Sequence, residues 1–391
     1  MMYFFWEVQY LKRLKTRNKY TKSIILSLCL TLILATGFNL AKKNLFNKRL
    51  VETNSVDGEE IHNQYQLLLE SLFDYRNKAL LDKNENMLKE LYDTNVKTGL
   101  WAYEHEATKM KYLENWSNKQ GVKFSDIKTR VKIKKVKEKE DDLYGIICTV
   151  STEYKYSYDN QRDIVNMFRI GTYHYLNVRM KDNQYIITKE WYTDPFADSL
   201  NLDNIKSEDI KAHILSQQVV DTQLTEEQKK AIQYAHQFCG AAADEEYGFK
   251  FNPNYKDFNP EGGDCANFAS QIMFESGRFK KNSIWNYSAG DGTKAWVNAQ
   301  SFKNYILNSG RGSLVARGSY QDVYKQAYSL IPGDFVGYEK GGRITHVSTV
   351  TGVDSKGYPL VTCHNTDRYL VPWDLGWSDK AIRFHLIHVN Y

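Results

Sequence analysis

Proline is scarce in this 391-residue chain, with six residues in all, and no low-complexity tract takes its place, so collagen-like and disordered classes are excluded. Cysteine is also sparse. The five residues Cys29, Cys148, Cys239, Cys265 and Cys363 include no CxxC pair, which excludes a dense disulfide scaffold. The H-E-x-x-H signature of zinc proteases is missing. Excess positive charge is missing from the bulk of the chain. Residues 1–49 hold ten Lys/Arg against the single Glu7, so residues 50–391 sum to −4 although the whole chain is +5. A polyphosphate finds no general attraction there, and no nucleic-acid partner is expected.

Charge is absent altogether from Ser23 to Ala41. Nineteen residues in a helix extend about 28 Å, close to the hydrocarbon thickness of a bilayer. Lys12, Arg13, Lys15, Arg17, Lys19 and Lys22 precede the run, and four more cations follow it. The richer N-terminal flank predicts an N-in anchor with the bulk of the chain outside the cell. Secretion after cleavage near Ala35-Thr36-Gly37 is the alternative. Residues 1–49 are therefore read as a basic leader with a transmembrane or signal segment, and the membrane is an expected partner.

Residues 50–198 read as helices followed by strands. Leu67, Leu68, Leu72, Tyr75 and Leu80 suit one helical face, and Gly99 separates a further helix, Trp101 to Trp116. The period then becomes two, with Val131, Ile133 and Lys135 on one side and Lys132, Lys134 and Val136 on the other. Glu104, His105 and Glu106 read as a solvated helix surface. The order predicts an α+β domain, helices on a curved antiparallel sheet, similar to the cone-shaped fold of nuclear transport factor 2 (NTF2-like). Residues 199–224 are polar and read as a linker, with Ser207 opening a short helix.

Residues 225–391 carry the chemistry. Thr225 and Gln228 form a capping-box pattern. Later, Gly262-Gly263-Asp264 precedes an apolar helical stripe that places Asp264 at the N-cap and Cys265 at the first helical position. Unpaired N–H groups there favour a thiolate, the nucleophilic form of cysteine. His346 opens a β-rich segment and can supply the base. Asp354-Ser355-Lys356-Gly357 then turns the chain back toward His364 and Asn365. A two-residue turn sets Asn365 opposite His346; a three-residue turn with Gly357 left-handed puts His364 on the His346 face, and the glycine favours the second. Asn365 is the next choice, and Asp367 a distant one.

The segment Gly262-Gly263-Asp264-Cys265-Ala266-Asn267-Phe268-Ala269-Ser270-Gln271 resembles the nucleophile motif of an amidase-domain family of Gram-positive bacteria, in the papain-like superfamily near the NlpC/P60 and CHAP cell-wall hydrolases. Asn252-Pro253-Asn254-Tyr255, Trp285, Trp296-Val297 with Phe302, Pro332-Gly333-Asp334, His346 and His364-Asn365-Thr366-Asp367-Arg368 follow the family order. Ala266 departs from the threonine that the family often has, and Cys363 beside the third position adds a redox complication. The resemblance covers residues 225–391 and implies a papain-like (NlpC/P60-like) domain with Cys265 as nucleophile, His346 as base and His364 as third member.

The expected activity is a cysteine-dependent amide hydrolase acting outside the membrane on peptide amides of peptidoglycan or another cell-surface peptide. The N–H of Cys265 is the first oxyanion donor considered, and Asp264, Asn365, Gln271 and Tyr255 are orienting or oxyanion candidates. Trp285, Tyr287 and Trp296 are candidates for the walls of a substrate groove, with core packing an equal alternative. No cofactor and no metal are expected. A tethered wall-binding module with an inactive papain-like domain is the non-enzymatic alternative. A zinc amidase is the second, made awkward because adjacent Cys363 and His364 point to opposite faces of a strand.

Overall fold

The period-two stretch after residue 120 becomes the first strand of a large sheet in a computed structural model that describes residues 56–140, 142–181, 184–196, 207–377 and 381–391. The leader and its apolar run 23–41 lie outside the described residues. Among those described, no helix is long and apolar enough to cross a membrane. Residues 60–391 cluster as one compact unit.

Three helices come first: α1 (Val56–Leu81), α2 (Glu85–Glu90) and α3 (Lys97–Gln120). Asn84 caps α2 by accepting the Met87 N–H, and Gly121 ends α3 at φ 70°, a left-handed conformation free of strain for glycine. Gly99 lies inside α3 rather than before it. The buried face of α1 also differs from the sequence expectation. Leu69, Phe73, Arg76 and Leu80 are buried, whereas Leu67 and Tyr75 are exposed. The reason is electrostatic: Arg76 turns inward to Glu190, at 3.0 Å, and to Glu106, at 3.7 Å. Glu106 is thus no surface residue. Lys109 stands 3.7 Å from it, and His105 contacts Asp194 at 2.7 Å. A buried charge needs such partners, and an apolar count misses them.

Four antiparallel strands follow: β1 (Val122–Glu140), β2 (Leu143–Tyr158), β3 (Gln161–Lys181) and β4 (Gln184–Tyr192). Val131 and Ile133 face the helices. A register slip at Lys134 sets Lys135 opposite the exposed Ile147, so Lys135 joins Lys132 on the outer face instead of the inner one.

The chain continues through α4 (Ser207–Ser216) and α5 (Glu226–Phe238), the latter opened by a Thr225/Gln228 capping box. Next come α6 (Cys265–Glu275), α7 (Ala299–Asn308), β5 (Gly312–Gly318), β6 (Phe335–Lys340), β7 (Arg343–Val353), β8 (Pro359–Cys363), β9 (Asp367–Pro372) and β10 (Ile382–Val389). Among the described residues the ten strands make one sheet, ordered β1-β2-β3-β9-β8-β7-β6-β10-β5 with β4 also on β3. Strand β9 joins the halves by pairing Asp367 with Gly171 and Tyr369 with Arg169. The result is a mixed α/β architecture on a large antiparallel sheet.

One face is covered in both halves and the other in the second half. Trp116 of α3 and Ile214 of α4 share a core with Val336, Tyr338 and Val350 on one face. On the opposite face of the second half, Cys265 and Ala269 of α6 and Phe302 of α7 pack with Phe335 and Val347. Carboxylates bolt the halves together. Asp354 accepts from Tyr156 and Tyr158 at 2.9 and 2.6 Å, and Asp374 accepts from Trp116 Nε1 at 3.2 Å and pairs with Lys119.

Candidate active site

Two glycines bring the chain to Cys265. Gly263 has φ 146°, and a Cβ there would lie 2.2 Å from the Asn365 amide nitrogen. Asp264 occupies the N-cap position of α6, but its carboxylate makes no cap bond. Instead, Oδ1 accepts from the Phe258 N–H at 2.9 Å and from Asn267 at 2.8 Å, while Oδ2 meets His364 Nδ1 at 2.5 Å. Asn365, at φ 67°, accepts the Asp264 N–H with its side-chain oxygen. The start of α6 is therefore clamped from the β8–β9 turn. Burial pushes the Cys265 thiol up to about 12, against a smaller opposing pull from the backbone N–H groups of Val347 and Ala266.

His346 does not meet that sulfur. Its Nε2 lies 3.1 Å from Ser348 Oγ and 3.3 Å from Cys363 Sγ, and its ring centroid is 5.1 Å from that of Trp377. Burial, aided by Arg368, lowers the imidazole to about 3, so the ring is neutral at pH 7. Burial likewise raises the Cys363 thiol to about 11. His346 pairs with Tyr338 and shares its face, whereas Val347 packs with Cys265 on the other.

The hairpin explains this arrangement. Gly357 is left-handed at φ 74°, and Val353 and Gly352 pair with Pro359 and Leu360, the three-residue-turn register expected from sequence. A bulge then skips Thr351, and Val350 and Thr349 pair with Val361 and Thr362. The shift flips the remaining side chains, moving Cys363 onto the His346 face and His364 off it.

His364 sits instead on the α6 side, between Phe251 and Phe268 at centroid distances of 3.9 and 3.7 Å. Its Nε2 is 2.8 Å from the Phe238 carbonyl and its Nδ1 faces Asp264, so both nitrogens must donate and the ring is an imidazolium. Burial opposes that charge, but Asp264 outweighs it and raises the group above the usual histidine range. Nearby, burial raises Asp367 to about 6, and its Oδ2 accepts from the Ala241 N–H at 2.8 Å and Tyr173 at 3.2 Å.

Other expected site residues take structural roles. Tyr255 donates to Glu275 at 2.5 Å, and Gln271 accepts from Tyr234 at 2.8 Å. Trp285 and Trp296 are fully buried and Tyr287 nearly so; the two indoles donate to Ser270 and Asn267. They form the floor beneath α6 rather than groove walls, because the apolar side of that helix needs them for its core. The sequence reading missed Ser348, which the alternation 346, 348 along a strand places beside His346. Among the described residues, no group of three or more His, Cys, Asp and Glu is arranged to hold a metal ion.

A family model described as "Putative amidase domain" matches residues 225–387, a span that contains Cys265, Cys363, His346 and His364. This segment resembles amidases. The match supports an amide hydrolase. A protein of Bacillus subtilis (strain 168), "Uncharacterized protein YjcM", is 32% identical over 139 residues, covering 33% of this chain and 30% of that one. The chain thus spans less than a third of the curated relative it matches. Among solved structures, the intermembrane space region of the chloroplast protein ARC6 aligns with 34% of this chain and 95% of its own, at 13% identity and a TM-score of 0.25. An NTF2-like protein from Pseudomonas putida KT2440 aligns with 36% of this chain and 93% of its own, at 9% identity and a TM-score of 0.18.

Proposed function

We propose that the protein is a cysteine-dependent amide hydrolase that works outside the membrane on peptide amides of peptidoglycan, with Cys265 as nucleophile and His346 as base. The apolar run 23–41 is its anchor, or its export signal if cleaved. The supporting observation is that Cys265, at the start of α6, packs with Val347, the residue next to a neutral imidazole. Because the two groups lie on opposite faces of β7, this scheme requires the entrance of that strand to turn over and carry His346 to Cys265, where the imidazole takes the thiol proton. The thiolate attacks the amide carbon, the C–N bond breaks, and the imidazolium returns the proton to the leaving amine. Water then adds to the thioester, releasing the acid and restoring the thiol. The clamped Asp264–His364 pair positions α6 and takes no proton in this scheme.

A second reading makes Cys363 the nucleophile, and its 3.3 Å contact with His346 favours it. Full-length wild-type, Cys265→Ala and Cys363→Ala proteins incubated with purified peptidoglycan separate the two, with released fragments read by mass spectrometry. Cys265→Ala is expected to lose about a thousandfold or more in rate. Loss confined to Cys363→Ala supports the second reading. Full activity in both variants removes thiol catalysis, and co-sedimentation without cleavage by any of the three makes the protein a wall-binding module.

A further inference from the structure

The register of β1–β4 arranges the outer face of the first half in rows. Lys135, Ile147, Tyr175 and Trp191 are paired in one line across the four strands, and Lys137, Gly145, Asn177 and Lys189 form the next. Lys132, Thr149 and Tyr173 make the row on the other side. Ile147, Tyr173 and Trp191 are each more than a third exposed. Lys134 stands 4.8 Å from the Tyr173 ring centroid, and Lys139 and Lys189 stand 5.0 and 5.3 Å from that of Tyr175. Cations therefore alternate with aromatic surface on a face that, among the described residues, no α-helix covers and the short 240–242 turn touches at its Gly171 end.

The charge on this face is unspent. Among the described residues, Lys132, Lys134, Lys135 and Lys137 have no ion-pair partner, and all four are exposed. The arginines differ: Arg130 pairs with Glu245, Arg169 with Glu153 and Asp244, and Arg179 with Glu140. Guanidinium forks suited to bidentate phosphate binding are thus already engaged, and mobile ammonium groups are what the face offers. It stands out against residues 50–391, which are net acidic.

The same side of the sheet leads toward the candidate site, with the 240–242 turn packed over Gly171 on the way. Arg130, Ser151, Gly171 and Asp367 are paired in one row, carrying the same side of the sheet from β1 into β9. Tyr173 donates to Asp367, and His364 and the start of α6 lie beyond it on that side. We propose that the outer face of β1–β4 is a docking surface for an amide polymer carrying free carboxylates, which it holds in line with the Cys265 side of the sheet. The proposal names the substrate class for the hydrolase reading and rests on it for the link to cleavage.

Binding can be read apart from catalysis. Fluorescein-labelled poly-L-glutamate, an amide polymer with a carboxylate on each residue, is titrated against the full chain carrying Cys265→Ala and Cys363→Ala. Binding is expected at low salt, weakening as salt rises from about 0.05 M to about 0.5 M. Adding Lys132→Glu, Lys135→Glu and Lys137→Glu is expected to weaken it by about tenfold or more, because three screened attractions become repulsions. In the active background the same triple change is expected to raise KM for a carboxylate-bearing polymer by about tenfold and leave kcat for a short neutral amide unchanged. Unchanged poly-L-glutamate binding in the triple variant, with an unchanged circular dichroism spectrum, overturns the proposal. So does a single-stranded oligonucleotide of equal length that binds more tightly than poly-L-glutamate. Lysine-dependent polymer binding by a wild-type protein that cleaves nothing keeps the docking surface and removes the hydrolase reading.

Discussion

His346 Nε2 lies 3.3 Å from Cys363 Sγ, and Cys265 packs with Val347 on the other face of the same strand. One thiol thus contacts the neutral imidazole and the other lies across the strand from it; burial holds both protonated, near 12 for Cys265 and near 11 for Cys363. Resting reactivity should be low for both. Iodoacetamide at neutral pH is expected to label neither peptide appreciably in the native protein, and the rate at each should rise about tenfold per pH unit below its pKa, following the thiolate fraction. Peptide mass spectrometry after timed alkylation checks this. Fast labelling of Cys265 near pH 7 would show a thiolate already formed there.

The same imidazole sets an acid limit on folding. His346 titrates near 6.5 when unfolded and near 3 when folded, so the unfolded chain binds the extra proton between those values. Stability is therefore complete above about pH 6.5 and declines as pH falls toward 3, by at most about 5 kcal/mol from this group. Melting temperatures of wild type and His346→Gln from pH 8 to pH 4 provide the test. The variant is expected to be less stable at pH 8 yet to lose less on acidification; parallel curves would place the acid sensitivity in other groups.

Much of this arrangement was legible in the sequence, and its failures have a common cause. The capping box at Thr225, the start of α6 at Cys265, the helix opening at Ser207 and the turn at Gly357 all follow from local chemistry. The bulges that skip Thr351 and displace Lys134 do not, because nothing in the neighbouring residues marks them. Each flips the faces beyond it, which is why Cys363 rather than His364 meets His346 and why Lys135 faces outward. Burial of Arg76 and Glu106 was equally hidden, since each reads as a surface residue until its distant partner is known.

Lys119 and Asp374 offer a test of how firmly the halves are joined. Both are buried, and Asp374 also accepts from Trp116 and, at 2.8 Å, from Tyr358. Burial lowers the Lys119 amine despite the neighbouring carboxylate. Lys119→Met leaves Asp374 without its cation and is expected to cost about 3–5 kcal/mol, whereas Lys119→Met with Asp374→Leu should recover much of that loss. Urea unfolding of the single and double variants measures the coupling. A single variant within about 0.5 kcal/mol of wild type would mean the pair contributes no more than an exposed one.

Gly171 controls how closely the first half approaches the candidate site. A Cβ at this position would lie 2.5 Å from the Ala241 Cβ, 2.7 Å from the Ala241 carbonyl carbon and 2.8 Å from the Ala242 nitrogen. Two of these neighbours are backbone, so the 240–242 turn itself has to move, and with it the Ala241 N–H that Asp367 accepts. Gly171→Ala should therefore lower stability by about 1–3 kcal/mol. Adding Ala241→Gly removes the Cβ contact but neither backbone contact, so the double variant should recover only part of the loss. Full recovery, read from urea midpoints, would show that the side chain rather than the turn sets the approach. If hydrolysis also depends on the Asp367 environment, kcat/KM of the single variant should fall while the thermal transition stays cooperative; an undiminished kcat/KM would separate the seam from the site.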